Sequence, residues 1–77
     1  MLKLIEDYSP SLEELQKLVG GYIEVQTLRN GDSLVINEEG MMQNLPINKE
    51  ATTLFQANGG ISQICGFAVH VKAGLLK

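Results

Sequence analysis

This chain of 77 residues has one cysteine, one histidine and no tryptophan. Cys65 has no partner for an internal disulfide, and with His70 as the sole imidazole no zinc site of the usual thiolate and imidazole ligands can be assembled. The two staples common in small domains are therefore absent. A chain this short buries only about 60% of the surface its unfolded form exposes. Self-association is the remaining common source of stability, and a homo-oligomer is expected. Basic residues are also few: six against nine acidic ones, for a net charge of −3. Lys3, Lys17, Arg29, Lys49, Lys72 and Lys77 are scattered and form no positive stripe, which argues against nucleic-acid binding. No apolar run approaches the roughly 20 residues of a membrane span. The opening Met1-Leu2-Lys3-Leu4-Ile5-Glu6-Asp7 is too short and too acidic for a secretory signal. With the lone cysteine, it gives the expectation of a cytoplasmic protein.

What is present reads as a single domain over residues 1–77. Met1 to Glu6 predicts a short strand, with Leu2 and Leu4 on one face and Ile5 near the rim. Ser9-Pro10-Ser11-Leu12-Glu13-Glu14 opens a helix: either Ser9 caps it with Pro10 at the first position, or Ser11 caps it with Glu14 closing a capping box. Leu12, Leu15, Leu18 and Val19 form its apolar stripe, and Gly20-Gly21 stops it. Tyr22 to Leu28 and Ser33 to Asn37 alternate about Asn30-Gly31, a favoured pair for a two-residue type I′ turn. With Arg29 and Asp32 flanking that turn, Thr27 faces Leu34, Val25 faces Ile36 and Ile23 faces Glu38. This apolar face should meet the helix. Leu28, Gln26, Val35, Glu24, Asn37 and Tyr22 would then form a mixed outer face. Asn48 caps a second, shorter helix through Ala51, Leu54 and Phe55, ended by Asn58-Gly59-Gly60. Ile61 to Val71 closes the chain as a strand pair or one interrupted strand. The order β-α-β-β-α-β predicts a small α+β domain, an antiparallel-rich sheet with one or two short helices packed on it.

No catalytic set is visible. His70 lies in an alternating strand and lacks an obvious partner. Cys65 is five residues away on a segment that, if straight, would turn it to the opposite face. Glu38 and Glu39 are adjacent, so an extended backbone points them apart. Gly20-Gly21 follows a helix, whereas phosphate-cradling loops precede one. The polar link Asn37-Glu38-Glu39-Gly40, with Asn44-Leu45-Pro46-Ile47-Asn48-Lys49-Glu50, is unusually rich in hydrogen-bonding groups for a connector and is where a ligand would be caught. Glu38 and Asn37 could hold a small polar ligand, and the start of the second helix at Asn48-Lys49 offers free N–H groups beside a cation. Solvation, loop hydrogen bonding and capping are the plain alternatives for the same residues.

Three blocks carry a resemblance. Leu15-Gln16-Lys17-Leu18-Val19-Gly20-Gly21-Tyr22-Ile23-Glu24-Val25, then Leu34-Val35-Ile36-Asn37-Glu38-Glu39-Gly40, then Leu45-Pro46-Ile47-Asn48 with Ala51-Thr52, resemble a family of small domains of unknown function carried mainly by bacteriophages, plasmids and their hosts. Lys49-Glu50 departs from the more basic residues usual there, which weakens polyanion binding. The resemblance implies a mobile-element protein. It suggests a non-enzymatic counter-defence role: sequestering a small nucleotide-like immune signal as a homo-oligomer, or covering a surface of a host defence enzyme. The expected ligand contacts are Tyr22, Asn37, Glu38, Asn44, Asn48 and Lys49, with no cofactor, metal or catalytic residue.

Overall fold

The computed structural model describes residues 1–76. The elements follow the expected order: β1 (Leu2–Ile5), α1 (Leu12–Val19), β2 (Ile23–Thr27), β3 (Ser33–Asn37), α2 (Lys49–Ala57) and β4 (Ala68–Val71). The strands form one mixed sheet in the order β1-β4-β3-β2; β1 runs parallel to β4, and the other two pairings are antiparallel. This is a small α+β domain, with a helix on each face of the sheet. Under α1, Leu15 and Val19 pack with Ile5, Val35, Val69 and Val71. On the opposite face, Ala51 of α2 packs with Leu28, Leu34, Ile64 and Ala68. Ile5, expected at the rim, is instead among the most buried side chains, because the parallel register sets it beside Val71 beneath α1.

Between the two open caps for α1 the structure selects Ser11, whose hydroxyl accepts from the Glu14 N–H at 3.1 Å. Gly20 ends the helix in the left-handed conformation.

The hairpin departs from the expected register by one residue. Ile23 pairs with Asn37, Val25 with Val35 and Thr27 with Ser33. The connection is not a two-residue type I′ turn, which would need positive φ at Asn30; among the described residues only Gly31 of that pair has it. Gly31 N–H donates to the Leu28 carbonyl and Leu28 N–H to the Asp32 carbonyl, so the loop has three residues, with Gly31 in the left-handed position. A shift of one residue exchanges the faces of β3. Val35, expected outside, is buried under α1, while Ile36 joins the α2 side. Of the expected outer face, Leu28 is buried on the α2 side, while Glu24 stays exposed and with Gln26 and Ile36 lines a groove.

The final segment is also simpler than a strand pair. Among the described residues only Ala68–Val71 of it is a strand, and the preceding loop meets the connector at the bridge of Ile47 with Cys65 and at the Gly66 N–H, which donates to the Pro46 carbonyl at 2.8 Å. Phe67, Val69 and Val71 lie toward α1 while Ala68 lies toward α2, as their alternation predicts.

Asn48 joins these pieces. Its side-chain oxygen accepts from the Ala51 N–H at 3.0 Å and so caps α2. Its amide donates to the carbonyls of Met1 at 2.8 Å and Gly66 at 2.9 Å. Its backbone N–H meets the Ile64 carbonyl at 2.7 Å. The residue is 1% exposed. Asn48→Ala should therefore cost about 3 kcal/mol, one part for the cap and the rest for two carbonyls stripped of their donors. Asn48→Asp keeps the capping acceptor but turns an oxygen toward those carbonyls, and should cost nearly as much. A shift in the urea midpoint at constant slope measures both. A loss for Asn48→Ala of only the ~1 kcal/mol expected of a cap would show that the amide bonds contribute nothing.

Candidate functional site

The connector after β3 starts from a buried asparagine. Asn37 donates from its amide to the Val19 carbonyl at 3.1 Å and accepts at its side-chain oxygen from the Glu39 N–H at 2.8 Å. It thus satisfies the end of α1 and starts the turn that follows. From there Gly40 passes so close to the next loop that an added Cβ would lie 2.5 Å from the Cys65 carbonyl oxygen. Asn44 sits exposed at the loop tip with φ 54°, a left-handed conformation that asparagine tolerates.

Because the connector turns there, Glu38 and Glu39 enter two different hollows. Glu38 lines a groove of about 150 Å³ on the α2 side, together with Glu24, Met41, Met42, Phe55 and Cys65. Its charged side chains are both acidic. Met41 and Met42 stand beside it as exposed, flexible apolar groups, Met42 at 80%. Glu39 lines a shallow open hollow of about 350 Å³ with Gln16, Gly21, Tyr22 and Gln43. Tyr22 is 69% exposed there, which leaves ring surface free for stacking.

The six expected contacts are therefore not brought together. Tyr22 lies in the open hollow and Glu38 in the groove. Asn37 borders the groove, but its amide is bonded within the protein. Asn44 is at a loop tip, and Asn48 is enclosed with its side chain engaged in the fold. Lys49 is exposed at the start of α2 and lines neither hollow. The residues that sequence reasoning missed are Gln16, Glu39 and Gln43 beside Tyr22, and Glu24 beside Glu38. Gln16 on a solvent-facing helix position gives no signal that it shares a hollow with a connector residue.

A third cluster was not expected at all. Asp32, 4% exposed, lies 2.8 Å from His70 Nε2, accepts from the Ala73 N–H at 2.9 Å and has Lys72 Nζ at 3.7 Å. The Asn30 amide faces the same carboxylate at 3.3 Å. The His70 hydrogen bond holds the Asp32 carboxyl below its ordinary range; the Ala73 N–H and Lys72 add to this, and burial opposes it. The geometry is that of a carboxylate orienting an imidazole. Among the described residues, however, no hydroxyl or thiol bonds to that imidazole, and Cys65 lines the groove. The cluster binds the hairpin loop to the end of β4. Among the described residues no group of three or more His, Cys, Asp or Glu is placed to hold a metal ion, and no helix is long and apolar enough to cross a membrane.

A family model described as a domain of unknown function, DUF3846, matches residues 2–74. The chain belongs to the DUF3846 family. Neither the curated proteins nor the solved structures contain a match. Membership thus spans nearly all of the domain and agrees with the resemblance in one respect, that this is a domain of unknown function, while bringing no activity with it.

A carboxyl whose folded pKa is depressed adds stability that is complete above its unfolded value and is lost as pH falls through the folded one. Asp32 should thus make the domain lose stability below about pH 4. Asp32→Asn should be less stable at neutral pH by about 2 kcal/mol, the worth of a hydrogen bond to a charged group, and should show less acid dependence. Urea unfolding between neutral and strongly acidic pH measures both slopes. Equal acid slopes in the two proteins would show that the cluster stores no such energy.

Proposed function

We propose that this domain acts by holding a molecule without converting it, and that its ligand is a small nucleotide-like signal bound by copies of the chain acting together. The observation that carries this reading is the open hollow at Tyr22. An exposed phenol ring there offers a stacking face, and the Gln16 and Gln43 side chains that line the same hollow supply donors and acceptors suited to the edge of a planar base. The hollow is too open to enclose a ligand within one chain, which favours a shared site between copies. The phage or plasmid origin, the counter-defence role and the cytoplasmic setting rest on the resemblance of the three sequence blocks and on composition.

A second reading is favoured by a separate observation. Met41 and Met42 stand exposed beside a groove whose charged side chains are Glu24 and Glu38. Adaptable apolar groups next to acidic ones suit a basic and apolar segment of a partner protein, as an inhibitor of a host enzyme would need. The same acidic groups oppose phosphate, so a nucleotide-like ligand belongs at Tyr22 and not in the groove.

Incubating the purified protein with cyclic dinucleotides and ADP-ribose-type signals, then heating it, separates these readings. Recovery of intact ligand supports storage, recovery of an altered ligand means catalysis, and no uptake leaves the protein-partner reading. For a stored ligand, Tyr22→Ala should weaken binding roughly tenfold or more, the scale of one lost stacking contact. Its stability should change by less than about 0.5 kcal/mol, since the side chain is largely exposed. Met42→Ala and Glu38→Lys should leave that affinity unchanged. Losing affinity in those two variants but not in Tyr22→Ala would move the site to the groove.

A further inference from the structure

The two edges of the sheet are unlike. β1 is four residues long and carries Lys3, a residue type that discourages further pairing at an edge. β2 has five residues, Ile23-Glu24-Val25-Gln26-Thr27, with no lysine and no proline. Its inner side is occupied: Glu38 N–H donates to the Tyr22 carbonyl at 2.9 Å and Leu28 N–H to the Asp32 carbonyl at 2.8 Å. In an antiparallel ladder these bonds fall on alternate residues. Tyr22, Glu24, Gln26 and Leu28 therefore turn their backbone groups toward β3. Ile23, Val25 and Thr27 turn theirs outward, where no strand pairs with them among the described residues. Val25 is also a half-exposed apolar side chain at that edge, bordering a shallow hollow with Pro10, Leu12 and Ile23.

We infer that the outer edge of β2 pairs antiparallel with β2 of a second copy, about a two-fold axis at Val25. This deepens the oligomeric part of the binding reading. The occupant is argued from charge and symmetry. In the register centred on Val25, Val25 meets Val25 of the second copy, Ile23 meets its Thr27, and Glu24 meets its Gln26. Each carboxylate then faces an amide that can donate to it, the chemistry already present within one chain, where Gln26 donates to Glu24. Sliding the pair by two residues in one direction sets Glu24 against Glu24, a like-charge contact that opposes that register. The outward N–H and C=O groups of Ile23, Val25 and Thr27 all find partners in the centred register. Pairing also closes: each copy uses its β2 edge once, and the remaining outer edges carry Lys3.

The same register lays the Leu28-Arg29 turn of the second copy opposite Gly21-Tyr22. Residues that line the open hollow then face a turn bearing a cation, whereas within one chain the charged residue of that hollow is Glu39. The second copy would thus complete the site.

Sedimentation should give twice the 8.4 kDa chain mass without any ligand present. Gln26→Glu, which puts carboxylate against carboxylate twice, should weaken the dimer roughly tenfold, and Gln26→Lys should strengthen it by a similar factor. Circular dichroism confirms that both variants keep the fold. Amide exchange at Ile23, Val25 and Thr27 should slow as protein concentration rises. A monomer up to millimolar protein overturns the inference, and so do equal dimer constants for the two variants. A dimer whose Ile23, Val25 and Thr27 amides exchange freely overturns this interface while leaving the oligomeric reading standing. Ligand uptake by a proven monomer overturns the shared site and leaves binding at Tyr22 standing.

Discussion

The buried amide of Asn48 is the contact on which the arrangement depends. A domain of this size has little core, and α2 covers its side of the sheet with one fully buried alanine and the partly exposed Leu54 and Phe55. Such a helix needs an anchor beyond apolar contact. Asn48 supplies one by bonding at the same time to its own helix, to the carbonyl that starts β1 and to the loop before β4. Each of these groups would be costly to bury unpaired. Asn37 does the same work on a smaller scale at the other end, tying the last carbonyl of α1 to the start of the connector. The two asparagines thus set the positions of both hollows without contributing a free polar group to either.

That double duty explains why the element order was legible in the sequence and the site was not. Helix limits and the order of elements depend on neighbours in the chain: Gly20 and Asn48 announce theirs locally, while the cap of α1 stayed open between Ser9 and Ser11. The hairpin register was lost at one position: Asn30-Gly31 suits two turn types, and the choice between them depends on Asp32. That residue is held by His70, thirty-eight positions away along the chain. With the loop one residue longer, every side chain of β3 changes face. Val35 then becomes core under α1, and of the expected outer face Leu28 is buried on the α2 side while Glu24 stays exposed.

The same long-range contacts hid the chemistry. A polar connector suggests a ligand because its side chains look unengaged, yet Asn37 and Asn48 are bonded to backbone groups many residues away. The candidate groups that remain free, Gln16, Tyr22 and Gln43, come from the last turn of a helix, the link to the strand after it and the connector. They meet only because Asn37 fastens the connector to the end of α1. His70 likewise looked solitary, since the strand pairing that brings Asp32 to it has no signature in either segment.

Charge would link the proposed assembly to the proposed ligand. The groove at Glu38 and the hollow at Tyr22 are each lined by at least one acidic residue and no basic one, so in a monomer either suits a neutral or cationic guest. An anionic guest at Tyr22 needs a cation from elsewhere. Within the chain, Arg29 is far from that end of the strand, because it sits at the opposite tip of the hairpin beside Gly59. Antiparallel pairing of two β2 edges reverses that geometry, bringing the tip of one hairpin to the base of the other. Under the proposed function and the proposed β2 pairing, binding of a nucleotide-like anion and dimerisation would be coupled by electrostatics, each favouring the other. A ligand found to bind equally well to monomer and dimer would have to carry little negative charge.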